Sequence, residues 1–329
     1  MTLSRKLEPI GSEDIYMDYR LKENRFKAFL RWYAWSLKYK DCDPPIWMLN
    51  YLFDRFEHNI EQKLWIAWIY GTTYHLPTAW IIWNEFPDFE LVDSNRLKDW
   101  NDKNYHRLRY QTDTKYNKGY LPQQFESYKE WIGKNNQRSK FKQFNSFDNL
   151  WHSIKNNLYK FGRYSTWFYM QTLHECCNLN FVPDDLKLDD HGGSKSHRNG
   201  LCYAVGKDEW INVKLNQSQI EFLETKAKQI SNIMSTRYRL KNNPYKLETA
   251  LCSFKKIFRV KQGRYLGYYL DRQAMEISMV EKDGWNGIDW YVFWQGRNEL
   301  LHTTLSSNIV IKPHMYSQFL NTGNFNRQL

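Results

Sequence analysis

The stretch RFKAFLRWYAWSLK, residues 25–38, decides the fold class. Its Phe26, Phe29, Leu30, Tyr33, Ala34 and Leu37 recur at i, i+3, i+4, i+7, i+8 and i+11, which is one apolar face of a helix. The same period extends in both halves of the chain. Asp43 reads as an N-cap with Pro44 and Pro45 in the first turn of a helix that turns Leu49, Leu52, Phe53 and Phe56 inward. Two more apolar helices follow, split near Gly71. Phe147, Leu150, Trp151, Ile154, Leu158 and Phe161 predict another, ended by Gly162 as a C-cap. Further helices are expected over 167–177, over 217–235 with a seam of Ile220, Leu223, Ala227, Ile230 and Met234, around Leu247, Leu251, Phe254 and Phe258, and over 268–280. β-favouring runs are few and short: 201–205, 210–215, 290–294 and 308–311. The pattern predicts a mainly α protein with a few short strands. Two helical lobes around a cleft, 21–145 and 146–300, stand between tails at 1–20 and 301–329. Residues 94–145, polar with scattered Tyr and Trp, form a lobe connection or an insertion over a ligand.

Composition narrows the function. Of 329 residues, 42% are hydrophobic and 17% aromatic, enough apolar surface to exclude a disordered chain. A formal net charge of +11 favours a polyanionic partner, nucleic acid foremost, over a small neutral ligand. The opening residues lack the apolar core of a secretory signal, and the most apolar stretch, 64–83, is broken by Gly71, Thr72, Thr73, His75 and Pro77. A cytoplasmic protein without membrane spans is expected. The five cysteines are an odd number, without CxxC spacing, so reduced thiols are expected, with neither structural zinc nor a bound cofactor.

The most unusual segment is LDDHGGSKSHRNG, residues 188–200. Glycines let consecutive backbone N–H groups converge on an anion, and Ser194, Lys195, His197 and Arg198 add donors suited to phosphate oxygens. Neither GxxxxGK[ST] nor GxGxxG is present, so a nucleotide P-loop or dinucleotide fold is unsupported. A flexible turn whose basic residues face water is an equal reading of these residues alone.

The most basic stretch follows: nine Lys or Arg and one acid, Glu248, lie between Arg237 and Arg264. Glu248, Cys252, Lys255 and Arg259 share a helical stripe, Lys256 lies beside it, and Tyr268, Arg272 and Glu276 share another with Tyr269 adjacent. Tyrosines stack on bases while Arg and Lys follow phosphates. The plainer alternatives are an Arg272–Glu276 surface pair and, for Asp271, a cap or a partner for Arg264. Upstream, Tyr74 and the inward-facing Asn84 suggest a pocket wall, and Arg163 follows the Gly162 turn.

Taken together, Asp43-Pro44-Pro45, residues 59–63, Tyr70-Gly71-Thr72-Thr73-Tyr74, residues 84–87, Phe161-Gly162-Arg163, residues 189–200, residues 248–252, residues 264–272 and residues 294–297 resemble a family. It is that of the α-glutamyl/putrescinyl thymine pyrophosphorylases, or amino acid:DNA transferases, of bacteriophages with hypermodified thymine. The resemblance covers roughly residues 20–300. It implies a fold distantly similar to helical DNA glycosylases with a helix-hairpin-helix, although no Leu-Pro-Gly-Val-Gly hairpin is present. It also implies a substrate: double-stranded phage DNA whose 5-hydroxymethyluracil has been pyrophosphorylated by a separate DNA kinase. The amine of an amino acid or polyamine then replaces pyrophosphate on the thymine methyl carbon.

Under that resemblance Ser194, Lys195, His197 and Arg198 clamp the departing diphosphate. Asp271 foremost, or Asp189 or Glu248, takes the proton of the attacking amine. Lys255, Lys256, Arg259, Arg264 and Arg272 hold DNA with Arg163 and Asn84, while Tyr74, Tyr268 and Tyr269 wall a flipped base. Addition of Cys202 or Cys252 to the ring is an optional variant. The competing functions are a base-excision glycosylase and a non-catalytic DNA-binding protein.

Overall fold

The computed structural model describes residues 21–38, 40, 42–190, 195–258 and 269–301. Among them the helices are α1 (Lys22–Lys38), α2 (Pro44–Arg55), α3 (Ile60–Thr73), α4 (Leu76–Glu85), α5 (Ser94–Asn104), α6 (Leu121–Ile132), α7 (Gln137–Phe141), α8 (Phe147–Asn157), α9 (Arg163–Cys177), α10 (Ser196–Ala204), α11 (Gln217–Thr236), α12 (Pro244–Phe254), α13 (Tyr269–Lys282) and α14 (Tyr291–Leu301). Short 3-10 turns join some of them, and no described residue is in a strand. No described helix is long and apolar enough to cross a membrane.

The chain divides into two compact units. One draws its described residues from within Met1–Asp43 and Asp184–Asp271, the other from within Pro44–Pro183 and Arg272–Val310. In the first, α10 packs along α12 and α1 covers both. The predicted face of α1 is buried at Phe29, Leu30, Tyr33 and Ala34, and Ala28 and Trp32 are buried too, so the helix is enclosed more widely than a single stripe. Phe254 of α12 meets Phe29 edge-on at 5.1 Å between ring centres. α11 joins this unit through the five seam residues predicted for it, all buried, and begins with a capping box between Asn216 and Gln219.

In the second unit α3 crosses α9 closely, and Gly71 allows it: a Cβ there would lie 2.7 Å from that of Tyr169. The α3 helix therefore runs through Gly71 and ends at Tyr74, which adopts left-handed geometry at φ 45°. Residues 94–145 contribute α5, α6 and α7 with a buried interior that includes Tyr110, Tyr128 and Trp131. Gly162 is the N-cap of α9 rather than a C-cap; its φ of −76° is ordinary extended backbone, and α8 has already ended at Asn157.

The strand expectations fail for identifiable reasons. Residues 201–205 belong to the end of α10 and its cap, where Leu201, Cys202 and Ala204 are buried; a short apolar run fits a buried helix as well as a strand. Residues 210–215 form a turn around Asn212, at φ 63°, whose side-chain oxygen accepts from Asn199 at 2.7 Å. Residues 290–294 enter α14, which packs on α2 with Gly296 against Met48 and Tyr51. Residues 308–311 lie outside the described residues.

Candidate functional site

Residues 195–198 open α10 instead of forming a loop before a strand. Lys195 is the N-cap, and an ammonium has no acceptor to offer the free N–H groups of the first turn. No acid occupies that turn either. From the end of α12 Lys255 reaches across, its Nζ donating to Ser196 Oγ at 2.7 Å. The Lys255 ammonium thus stands at the positive end of a helix dipole whose N-cap position is itself a lysine, an arrangement that attracts an anion.

Beside them, His197 Nδ1 lies 3.4 Å from Glu248 Oε1, with both side chains buried. Glu248 comes from α12, where it shares a face with Cys252 and Lys255, so the stripe expected from spacing is turned toward α10. Gly200 makes this possible: a Cβ would fall 2.0 Å from the Leu251 carbonyl oxygen, so only glycine lets the helices approach this closely.

Arg198 is buried with its guanidinium turned to backbone, Nη1 donating to Leu188 O at 3.4 Å and Nη2 to Val213 O at 3.3 Å. It ties together the chain before and after α10. Asp189 is exposed and Lys256 half-buried. Ser194, Arg259, Arg264 and Tyr268 lie outside the described residues. Tyr269, Asp271 and Arg272 occupy the first turn of α13, with their side chains outside the description.

The remaining candidates are in the second unit. Tyr74 packs 4.1 Å from the Phe168 ring centre and meets Tyr164 edge-on at 5.2 Å. Arg163 is buried at the start of α9, 5.2 Å from the Trp167 ring centre. Asn84 is exposed, not inward-facing: its amide donates to the Trp80 carbonyl one turn back at 2.8 Å, so the backbone answers its polarity. Glu276 is buried, against the alternative of a surface pair with Arg272; it accepts from Gln111 at 2.9 Å and lies 3.9 Å from His75 Nε2.

Thiol addition finds little support. Burial pushes the enclosed Cys202 thiol up to about 12, and desolvation raises Cys252 as well, so neither supplies much thiolate near neutral pH. One further titratable residue emerges from the structure. Glu224 of α11 accepts the Leu186 and Leu188 N–H groups at 3.3 and 3.4 Å, and burial pushes its carboxyl up to about 7. A carboxylate one turn from Ile220 on an otherwise apolar seam was the available signal.

Residues 30–262 match the family described as amino acid:DNA transferase, a span that includes α10, α11 and α12 whole. The chain belongs to that family. It is similar to a serinyltransferase of Salmonella phage ViI, 27% identical over 321 residues, which cover 89% of this chain and 77% of the relative. No solved structure matches. The amino acid:DNA transferase assignment makes the protein a transferase, and the resemblance seen in the sequence is to the same family.

Proposed function

We propose that this amino acid:DNA transferase hypermodifies thymine in phage DNA, replacing the pyrophosphate of 5-(pyrophosphoryloxymethyl)uracil with the amine of an amino acid or polyamine. The observation that supports this reading is Lys255 Nζ on Ser196 Oγ at the start of α10, whose N-cap is Lys195, beside the buried His197–Glu248 pair. As the methylene C–O bond breaks, its electron pair leaves with the diphosphate, whose growing charge is met by the two ammonium groups and the dipole of α10. The amine nitrogen forms the new C–N bond and gives up a proton. Glu248 is favoured as its acceptor over the exposed Asp189, because it lies next to the cationic turn through His197.

Arg198 serves this chemistry indirectly by fixing α10 between residues 188 and 213. Lys256, with Arg259, Arg264 and Arg272, follows the DNA backbone, and the target nucleotide leaves the stack to reach the turn, because its methyl carbon is otherwise held within the major groove of the duplex. Tyr268 and Tyr269 are its proposed aromatic walls, while Tyr74 belongs to the other unit, packed on Phe168 and Tyr164. A separate DNA kinase in the host cytoplasm makes the substrate.

The test is product analysis. Purified protein is incubated with DNA carrying pyrophosphorylated hydroxymethyluracil and mixed amino acids. Pyrophosphate and a heavier nucleoside are expected; abasic sites or free base would assign the protein to base excision, and unchanged nucleosides would leave only DNA binding.

A further inference from the structure

A transferase must hold the amine as well as the leaving group. The first unit contains a cavity of about 320 Å³ bounded by the later turns of α11, the start of α12 and residues 184–186. That volume is at the small end of ligand pockets, fitting an amino acid and not a nucleotide. Its charge is lopsided: Asp184, Asp185 and Glu224 face a single lining cation, Lys228, while Ser231 and Asn232 contribute neutral polar groups.

The carboxylates are not equally satisfied within the protein. Asp185 is engaged by Lys187, whose backbone N–H lies at 2.9 Å and Nζ at 3.4 Å. Glu224 is desolvated, and the charges of Asp185 and Asp189 add to the effect of burial in raising its carboxyl to about 7. A cation entering the cavity would relieve this crowding. Lys228 follows Glu224 by one turn of α11, so the lining sets a cation suited to a carboxylate beside the carboxylates suited to an ammonium. The lining thus offers partners for an ammonium and, one helical turn away, for a carboxylate, the two poles of a zwitterion.

We propose that this cavity is the donor site and takes a small α-amino acid, its ammonium against Asp184 and Glu224 and its carboxylate toward Lys228 and Asn232. The proposal rests on the function proposed above for what becomes of the bound amine. Geometry links the two sites through α12: Leu247 lines the cavity, and the next residue, Glu248, faces His197. Three carboxylates disfavour a donor with an acidic side chain, so serine or glycine is accepted ahead of glutamate.

The test is ligand-observed saturation-transfer NMR of L-serine with the full chain and no DNA, using wild type and two variants whose melting temperatures match it, Asp184→Asn and Ser231→Leu. Both variants are expected to weaken serine binding about tenfold, and N-acetylserine, which lacks the ammonium, is expected not to compete. Equal binding by all three proteins, effective competition by N-acetylserine, or no binding by wild type overturns the donor site. The same variants separate the two readings. Transfer onto pyrophosphorylated DNA with an unaltered KM for serine in both keeps the reaction and overturns the cavity. Serine binding that both variants weaken, in a protein that leaves this DNA unchanged, keeps the cavity and overturns the reaction.

Discussion

Glu224 and Arg198 hold one residue, Leu188, from the two sides of its backbone: the carboxylate accepts its N–H at 3.4 Å and the guanidinium donates to its carbonyl oxygen at 3.4 Å. The chain entering the glycine-containing segment is therefore fixed before it reaches α10, by one residue that lines the cavity and one from the first turn of that helix.

Arg198 and Lys195 should consequently fail in different ways. Arg198→Ala removes the donor to the buried Leu188 carbonyl and the part-buried Val213 carbonyl and leaves a hole, a loss of about 2–4 kcal/mol. Lys195→Ala touches a half-buried side chain and should change stability by less than about 0.5 kcal/mol, yet it removes a cation from the anion site and should slow pyrophosphate release severely. Thermal melts and pyrophosphate release on the two variants check this; equal melting temperatures would return Arg198 to a direct role at the phosphate.

Gly200 sets the spacing between α10 and α12, so Gly200→Ala should cost about 3 kcal/mol, the upper part of the usual overpacking range, because the atom it meets is backbone and cannot swing away. Gly162→Ala is the control: nothing lies within 4 Å of its Cβ position, and replacing an N-cap glycine costs under about 1 kcal/mol. Urea denaturation of both variants gives the comparison, and equal midpoints would mean that the helices separate freely.

The contrast between these glycines shows how much of the molecule the sequence carried. Long amphipathic helices such as α1, α8 and α11 were legible because many turns repeat one face. α10 and α14 were not, because a few apolar residues buried on all sides have no readable period, and their closeness to α12 and α2 depends on Gly200 and Gly296 meeting residues distant in the chain. Spacing did put Glu248, Cys252 and Lys255 on one face. It could not show that His197 and Ser196 would come to meet that face, nor that Asn84 would satisfy itself on Trp80. The role of Glu224 is not legible in spacing, because it comes from the residue 186–188 backbone folding over it.

Glu248→Gln keeps the shape of the buried side chain and removes its ability to take a proton. Turnover should fall by about 10²-fold or more, the usual contribution of a positioned base, while affinity for unmodified DNA is retained. Cys252→Ala should leave most activity, since the thiol is held above its ordinary range. Single-turnover kinetics with filter-binding controls separates these outcomes, and a full-rate Glu248→Gln protein would move the base to another carboxylate.

Glu224 gives stability a dependence on pH whose sign follows from its environment. Burial, with smaller contributions from Asp185 and Asp189, raises its carboxyl from 4.5 to about 7, so between those values the folded state binds more protons than the unfolded chain. The stability this confers is fully present below 4.5 and is lost as pH rises through about 7. Glu224→Gln, which cannot ionise, should therefore remove a decline that wild type shows across this window, measured as urea midpoints at several pH values. Serine should act in the opposite sense: an ammonium beside Glu224 favours its carboxylate, so binding in this window should release a proton and strengthen as pH rises. Calorimetry of serine binding in two buffers of different ionisation enthalpy reads that proton directly, and identical heats in both would mean that the bound ammonium does not rest against Glu224.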